Sequence, residues 1–145
     1  VIAARTIKPL MTTLDLKAAM QQNTPRGKEN KYFAQVFQAL RIEVNQEMKA
    51  LEDFLHQSGE VMETGGRLVV MSYHSLEDRM VKNYMGKGKV FGDVEKDFYG
   101  NFYIPLRTID KMIVPGSEEI RKNSRARSAK LRIAERVKED SKENK

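Results

Sequence analysis

The most regular feature of the sequence is a helical repeat of apolar positions between Tyr32 and Leu55. Apolar residues recur there at intervals of three or four: Phe33, Phe37, Leu40, Val44, Met48, Leu51 and Leu55. This spacing is close to the 3.6 residues of a helical turn. It therefore predicts one long helix with a single buried stripe, ended by Ser58-Gly59.

The segment before this helix is also predicted to be helical, over residues 1–22. Thr12 or Thr13 can serve as the N-cap of a helix that runs through Met20. Residues 23–30 are polar and contain both proline and glycine, a composition typical of a linker. We therefore place a domain boundary at this linker.

A short apolar run, Arg67–Tyr73, is bounded by turn signals and predicts a strand buried on both faces, as in a parallel sheet. Ser75 and Asp78 supply a cap residue and an acid three positions later, which predicts that a helix begins there. A helix, a strand and a second helix in this order indicate a unit of a doubly wound α/β sheet. Two short strands, a short helix and a last strand are expected at Tyr103–Leu106, Lys111–Val114, Ser117–Glu119 and Ala129–Val137.

The composition narrows the class of protein. The 145 residues are 40% hydrophobic and 32% charged, which is ordinary for one globular domain, and no apolar run approaches the roughly 20 residues of a membrane span. The absence of cysteine excludes disulfides, thiolate metal ligands and cysteine nucleophiles, and it fits a cytoplasmic protein. With only two histidines we expect no metal site. Because Val1–Arg5 resembles the end of a helix, we expect the chain to be a fragment.

The net charge of +6 is concentrated near the end of the chain. Residues 121–136 contain seven basic residues against a single acidic one, Glu135, and this segment accounts for the whole excess. A local basic cluster is the electrostatic footprint of a phosphate-rich partner. Charge alone favours the simpler interpretation of a solvated surface.

The densest polar cluster, Tyr73–Arg79, lies where the predicted strand ends and the next helix begins. Ligands of open α/β sheets bind outside the carboxyl ends of the strands, and a helix N-terminus offers free N–H groups to an anion. For Ser75 and Asp78 the favoured role is helix capping. For His74 and Arg79 a structural and a functional role stay equally open.

The sequence argues against a serine hydrolase and against a glycine-rich cofactor loop. Ser75 is not in a G-x-S-x-G turn, so a serine hydrolase is excluded. No glycine-rich loop follows a strand, because Gly65-Gly66 precedes the predicted strand and Gly86-Lys87-Gly88 is too short. We therefore expect no cofactor-binding residues in this chain.

Three blocks of sequence together resemble the signature of the ribosomal RNA small subunit methyltransferase H family, also called MraW. They are Phe37–Asn45 (FQALRIEVN), Gly65–Arg79 (GGRLVVMSYHSLEDR) and Asn123–Arg132 (NSRARSAKLR). One departure is Ser124, where the family usually has proline. The family's glycine-rich cofactor loop and the acidic residue after it match no position in this sequence.

The resemblance implies the C-terminal part of a class I S-adenosylmethionine-dependent methyltransferase, an α/β protein with a Rossmann-like sheet, preceded by the end of an inserted helical domain. Residues 1–30 would be the end of that domain and the linker, 31–138 the C-terminal half of the methyltransferase domain, and 139–145 a disordered tail. The implied reaction is methylation of N4 of a cytidine in small-subunit ribosomal RNA. S-adenosylmethionine would be bound mainly by residues upstream of this chain, and the fragment alone is expected to be inactive.

An amino nitrogen is a weak nucleophile, so the enzyme must orient it and manage its proton. The candidates for this task at the strand end are Ser72, Tyr73 and His74. Contacts to the RNA backbone are expected from Arg79, Arg125, Arg127 and Lys130. Two roles stay open for the polar residues of the long helix, Gln38, Arg41 and Asn45. They either face the active site or fix the helix against the sheet through buried hydrogen bonds, and the second role is favoured.

The expected partner is small-subunit ribosomal RNA or the 30S subunit, with no membrane contact. The fragment is also expected to self-associate, because missing strands would leave a sheet edge uncovered. The alternative is a non-enzymatic basic RNA-binding module of α/β type. It explains the charge cluster and the absent cofactor loop equally well, but it does not explain the polar cluster at the strand end.

Overall fold

The computed structural model describes residues 1–94, 96, 98–100 and 104–138. It divides into two compact units, the first comprising Val1–Glu47 and the second beginning at Met48. The proposed domain limits at residues 30 and 138 stay predictions. The tail 139–145 lies outside the described residues.

The first unit is helical. It contains α1 (Ile2–Ile7), α2 (Thr13–Met20), a 3-10 turn (Gln21–Asn23) and α3 (Glu29–Val44). Helix α2 begins with a capping box, in which Asp15 N–H donates to Thr12 Oγ1 (3.1 Å) and Thr12 N–H donates to Asp15 Oδ2 (2.9 Å). The predicted cap at Thr12 is therefore confirmed.

The predicted long helix is wrong, because the structure has two helices in its place. Helix α3 ends at Val44 and α4 runs from Glu47 to Val61, past the predicted end at Ser58-Gly59. Between them Gln46 has a φ of +52°, the left-handed conformation that ends an α-helix. The predicted stripe is not continuous either, since Val44 is 78% exposed whereas Leu55 is fully buried.

Charged and amide groups hold the break between α3 and α4. The Glu47 carboxylate accepts hydrogen bonds from Arg41 Nη2 (3.0 Å) and Asn45 Nδ2 (3.1 Å), and it forms an ion pair with Arg41 Nε (2.9 Å). These contacts are exposed, and they are not the buried hydrogen bonds to the sheet that the sequence favoured for Arg41 and Asn45. For Gln38 that role stays a prediction.

The second unit combines α4 with a three-stranded sheet and further helices. After α4 come β1 (Arg67–Ser72), α5 (Ser75–Lys87), β2 (Leu106–Thr108), α6 (Ser117–Lys122), a 3-10 turn (Ser124–Ser128) and β3 (Lys130–Arg136). The sheet order is β1-β3-β2, and β3 is antiparallel to both neighbours. Strands β1 and β2 are consequently parallel to each other, on either side of the last strand of the chain.

The expected last strand and the helix opening at Ser117 are confirmed by β3 and α6. The expected strand at Tyr103–Leu106 is displaced, since Tyr103 lies outside the described residues and β2 begins only at Leu106. The strand expected at Lys111–Val114 is wrong. That segment forms only one isolated bridge, between Ile113 and Leu131.

Strand β1 is buried on one face and not on both as predicted. Leu68 and Ser72 are buried, whereas Val69 and Met71 on the opposite face are 54% and 53% exposed. In the described part of the chain β1 has one neighbouring strand, which is antiparallel, and helices α4 and α5 contribute to the core on only one side. The described residues therefore do not form the predicted parallel sheet that is covered on both faces.

The core lies between the covered face of the sheet and the helices α4 and α5. Its buried members are Leu55, Leu68, Met80, Val81, Tyr84, Met85, Val90, Leu106 and Ala134. Arg136 at the end of β3 donates a hydrogen bond from Nη1 to the carbonyl of Gly59 in α4 (2.6 Å). This packing fixes the first turn of α5 at the carboxyl end of β1.

Candidate functional site

The turn between β1 and α5 carries the three predicted catalytic candidates in sequence. Ser72 is the last residue of β1 and is buried, Tyr73 is 57% exposed, and His74 is half-buried. The turn is short because α5 begins at Ser75. It therefore presents these residues at the carboxyl end of a strand, the position at which open α/β sheets bind ligands.

The cap of helix α5 is His74, and the expected cap at Ser75 with Asp78 is wrong. His74 Nδ1 accepts a hydrogen bond from Leu76 N–H (3.3 Å). The Glu77 carboxylate accepts from the N–H groups of Tyr73 and His74 (3.2 Å each). The capping box is thus displaced by one residue, because His74 and Glu77 have the same spacing as Ser75 and Asp78.

This cap defines what the His74 ring can offer to a ligand. Because Nδ1 accepts a hydrogen bond, it carries no proton, and the proton of the neutral ring is on Nε2. The ring can then donate a hydrogen bond from Nε2.

Asp78 cross-links α5 to β3. Its carboxylate contacts Lys130 Nζ (2.9 Å) and Arg132 Nε (2.8 Å), and its side chain is 11% exposed. Burial disfavours the charged carboxylate, but the hydrogen bonds and charges of Arg132 and Lys130 outweigh that effect and lower the pKa of Asp78. Arg132 was not among the residues predicted for the site, because nothing local in the sequence links it to a position 54 residues earlier.

Of the four predicted RNA-binding residues, three are exposed and the fourth is held in an ion pair. Arg79 is exposed just after the first turn of α5, and Arg125 and Arg127 are exposed on the 3-10 turn. Lys130 differs, because its ammonium group is in the ion pair with Asp78. The structure therefore leaves three of the four cations accessible to a polyanion.

A groove lies on the uncovered face of the sheet, and we call it the sheet-face groove. Its volume is about 240 Å³. It begins at the β1–α5 turn with Tyr73, and its floor includes Met71, Ile113 and Leu131. Its other wall comes from α6 and the 3-10 turn, where Glu119 and Asn123 supply polar groups and Ala126 lies between Arg125 and Arg127. Sequence patterns did not indicate this groove, because its residues come from four separate segments.

The β1–α5 turn does not offer free backbone N–H groups to a nucleotide-like cofactor. The β1–α5 turn contains no glycine, and the N–H groups of Tyr73 and His74 already donate to Glu77. A phosphate or carboxylate at this helix start would have to displace that side chain.

Across the described ranges, no helix has the length and apolar character needed to cross a bilayer.

Comparison with known proteins places the chain in a family. The model of the MraW methylase family matches residues 1–137. The chain is 56% identical over 135 residues to the ribosomal RNA small subunit methyltransferase H of Cytophaga hutchinsonii, covering 93% of this chain and 45% of that protein. The enzyme of the same name from Flavobacterium johnsoniae is 53% identical over 137 residues, covering 94% of this chain and 45% of the relative.

The matches also show how much of its relatives' length this chain spans. The chain spans slightly less than half of the curated relatives it matches, and it corresponds to their C-terminal part. The extent of the family match and the identity to these relatives lead to the same assignment. The chain belongs to the MraW methylase family, and it contains part of that family's class I methyltransferase fold.

Proposed function

We propose that this chain is part of an S-adenosylmethionine-dependent enzyme that methylates N4 of a cytidine in small-subunit ribosomal RNA, in the cytoplasm. The observation that carries the proposal is the β1–α5 turn, which presents Ser72, Tyr73 and His74 at a strand end in a member of a methylase family. The names of the relatives support ribosomal RNA as the substrate. Family membership favours this enzyme over the alternative of a non-enzymatic RNA-binding module.

In this proposal the cofactor supplies the methyl group, and its main contacts are made by residues outside this chain. The tasks of this chain are to orient the base and to manage the proton of its amino group. His74 donates from Nε2 to an acceptor on the base, because its Nδ1 is held by Leu76 N–H. The Tyr73 hydroxyl and the Ser72 carbonyl orient the amino group by accepting hydrogen bonds from it.

The RNA backbone would be held by exposed cations. Arg79, Arg125 and Arg127 are the main candidates, because each is exposed and none forms an ion pair with another described residue. Lys130 contributes less, since its charge is offset by Asp78. Phosphate contacts of this kind weaken steeply with salt, so methylation should decline as ionic strength rises.

The proposed role of His74 is tested in the complete enzyme with two substitutions. His74→Asn keeps a good N-cap and His74→Ala removes it, so the alanine variant should lose about 1 kcal/mol of stability relative to the asparagine variant. If the Nε2 donor acts on the substrate, both variants should lose at least about tenfold in turnover. Methyl transfer to purified 30S subunits measures the turnover, and urea unfolding measures the stability.

The two substitutions separate chemistry from folding. Full turnover in His74→Asn would remove His74 from the chemistry and leave it as a helix cap. No methyl transfer from the unsubstituted complete enzyme to 30S subunits would contradict the proposed reaction itself.

A further inference from the structure

We propose that Glu77 is a positioning residue, which holds the His74 ring with Nε2 as its hydrogen-bond donor. The inference rests on the proposed function in one respect, that this donor contacts the substrate. It adds a residue that controls the ring without touching the substrate. All the groups involved lie between Tyr73 and Asp78 or on β3, so parts of the enzyme outside this chain are not needed to form the arrangement.

The Glu77 carboxylate fixes the backbone from which the His74 ring extends. Its Oε2 accepts hydrogen bonds from the N–H groups of both Tyr73 and His74 (3.2 Å each). Hydrogen bonds to an ionised carboxylate are about twice as strong as those between neutral groups. The two bonds hold His74 in the extended conformation of an N-cap, with a φ of −125° and a ψ of 141°, so the ring turns back toward the N–H groups of α5.

The hydrogen bond of the ring itself is too long to fix the ring alone. Leu76 N–H and His74 Nδ1 are 3.3 Å apart, whereas N–H donors in proteins usually lie roughly 2.7–3.2 Å from an oxygen acceptor. His74 is half-buried, so its ring has room to turn about the Cβ–Cγ bond. The orientation and the tautomer of the ring therefore depend on the turn that Glu77 holds.

The ion pairs of Asp78 prevent the helix cap from moving by one residue. Ser75 and Asp78 have the spacing of a second capping box, which would begin one residue later. To form it, the Asp78 carboxylate would have to leave Lys130 Nζ (2.9 Å) and Arg132 Nε (2.8 Å). That exchange would leave two cations near the sheet without their partner, so His74 stays the cap.

The test compares Glu77→Ala with Glu77→Gln in the complete enzyme. Glutamine keeps a side-chain oxygen that can accept from both N–H groups, and it is a common residue at this position of a capping box. Glu77→Ala should lower kcat for the methylation of 30S subunits about tenfold, because the donor is misplaced. KM should change by less than about twofold, since the contacts to the RNA backbone are retained. Glu77→Gln should restore most of kcat.

The nitrogen signals of the His74 ring give a readout that does not depend on activity. In complete protein labelled with ¹⁵N-histidine, the signals of His74 are those that disappear in His74→Asn. They should show one tautomer, with the proton on Nε2, in the unsubstituted enzyme and in Glu77→Gln. Glu77→Ala should move the signals of both ring nitrogens toward the average of the two tautomers.

Asp15→Ala is the matched control for the lost cap. Asp15 has the position in the capping box of α2 that Glu77 has in α5, and its Oδ2 accepts from the N–H groups of Met11 and Thr12 (3.2 and 2.9 Å). The control should lower the urea midpoint of unfolding by a similar amount and leave kcat and the His74 signals unchanged. In the His74→Asn background, Glu77→Ala should cause no further loss of kcat, because it acts through the ring.

Each other outcome overturns the inference and identifies what failed. Unchanged nitrogen signals in Glu77→Ala would show that the carboxylate does not hold the ring, and changed signals with full kcat would show that the ring's orientation does not matter to the reaction. An equal loss of kcat in Asp15→Ala would assign the effect to folding, and a loss that adds to that of His74→Asn would assign it to another route. Failure of the unsubstituted enzyme to methylate 30S subunits would reject the proposed function, whereas the nitrogen signals would still decide whether Glu77 holds the ring.

Discussion

Asp78 shows how one carboxylate can organise the second unit. It contacts Lys130 and Arg132, which lie 52 and 54 residues away in the sequence and two positions apart on β3. The strand register pairs Lys130 with Ser72 and Arg132 with Val70, so both cations are on the covered face of the sheet. The cluster therefore fixes the first turn of α5, and with it the candidate catalytic turn, to β3.

Replacing Asp78 with Asn should destabilise the protein by about 2 kcal/mol at pH 7, because two cations near the sheet lose their partner. Since Lys130 is more than one third exposed, this figure is below that for a fully buried pair. The folded state lowers the pKa of Asp78, so its stabilisation is complete above the unfolded pKa and is lost as the pH falls through the lowered value. Urea unfolding at pH 7 and near pH 2 measures both effects.

Asp110→Asn is the control for this prediction. Asp110 is exposed and forms no ion pair with another described residue, so its substitution should change stability by less than about 0.5 kcal/mol. An Asp78→Asn variant as stable as this control at pH 7 would show that the cluster does not hold α5 in place.

The position of the candidate site could be predicted at the residue scale, but its hydrogen bonds could not. The strand-to-helix turn at Tyr73 and His74 follows from local patterns. Which residue caps the helix does not, because His74 with Glu77 and Ser75 with Asp78 present the same spacing. The partners of Asp78 and the groove wall at Glu119 depend on strand register and on distant segments, for which one sequence carries no local signal.

Among the elements, the break between α3 and α4 is the main departure from the sequence pattern. Val44 and Met48 are four residues apart, so the apolar spacing continues across the break, and no proline or glycine marks it. The break instead depends on Gln46 in the left-handed conformation and on the contacts of Glu47 with Arg41 and Asn45.

The sheet departs from prediction for a different reason. Strand β1 is apolar on both faces, whereas the described residues cover one.

The left-handed conformation of Gln46 can be tested by substitution. A β-branched side chain is strained there, so Gln46→Val should cost about 1–2 kcal/mol of stability. Gln46→Gly should cost less than about 0.5 kcal/mol, because glycine adopts positive φ without steric cost. Thermal unfolding of the two variants measures the difference. Equal stability would mean that the helix does not break at this residue.

Helices α4 and α5 approach closely at Gly59. A methyl group added there would overlap the Tyr84 hydroxyl, and Tyr84 is 3% exposed and cannot move freely. Gly59→Ala should therefore destabilise by about 1–3 kcal/mol, although alanine is the better helix former. Adding Tyr84→Phe removes the overlapping atom and should recover most of the loss. A double variant no more stable than Gly59→Ala would contradict this packing.

At the scale of the whole molecule, the uncovered sheet face has consequences for the chain in isolation. Val69, Met71 and Tyr73 are more than half exposed on this face, and β1 has a strand neighbour on only one side within the described residues. In the proposed complete enzyme, parts outside this chain would cover much of this surface. Alone, the chain presents it to other copies, away from the basic wall of the groove.

We therefore expect the isolated chain to self-associate at high concentration, with a mass above its monomer value of 16.7 kDa in sedimentation equilibrium. Val69→Lys should weaken the association about tenfold, because it places a charge on the exposed face and removes an apolar side chain. Val61→Lys is the control, since Val61 is 79% exposed at the end of α4. A purely monomeric chain at millimolar concentration would contradict this expectation.

The position of β3 between β1 and β2 also constrains the order in which the protein can be made. The ribosome synthesises β1 and β2 before residues 130–136, and each of these two strands pairs with β3 and not with the other. The sheet of the described residues therefore cannot form until residues 130–136 have been synthesised, and until then the apolar residues of β1 stay without this partner in the nascent chain. Rapid synthesis of the residues between β1 and β3 would therefore shorten the time in which the nascent chain can aggregate through β1.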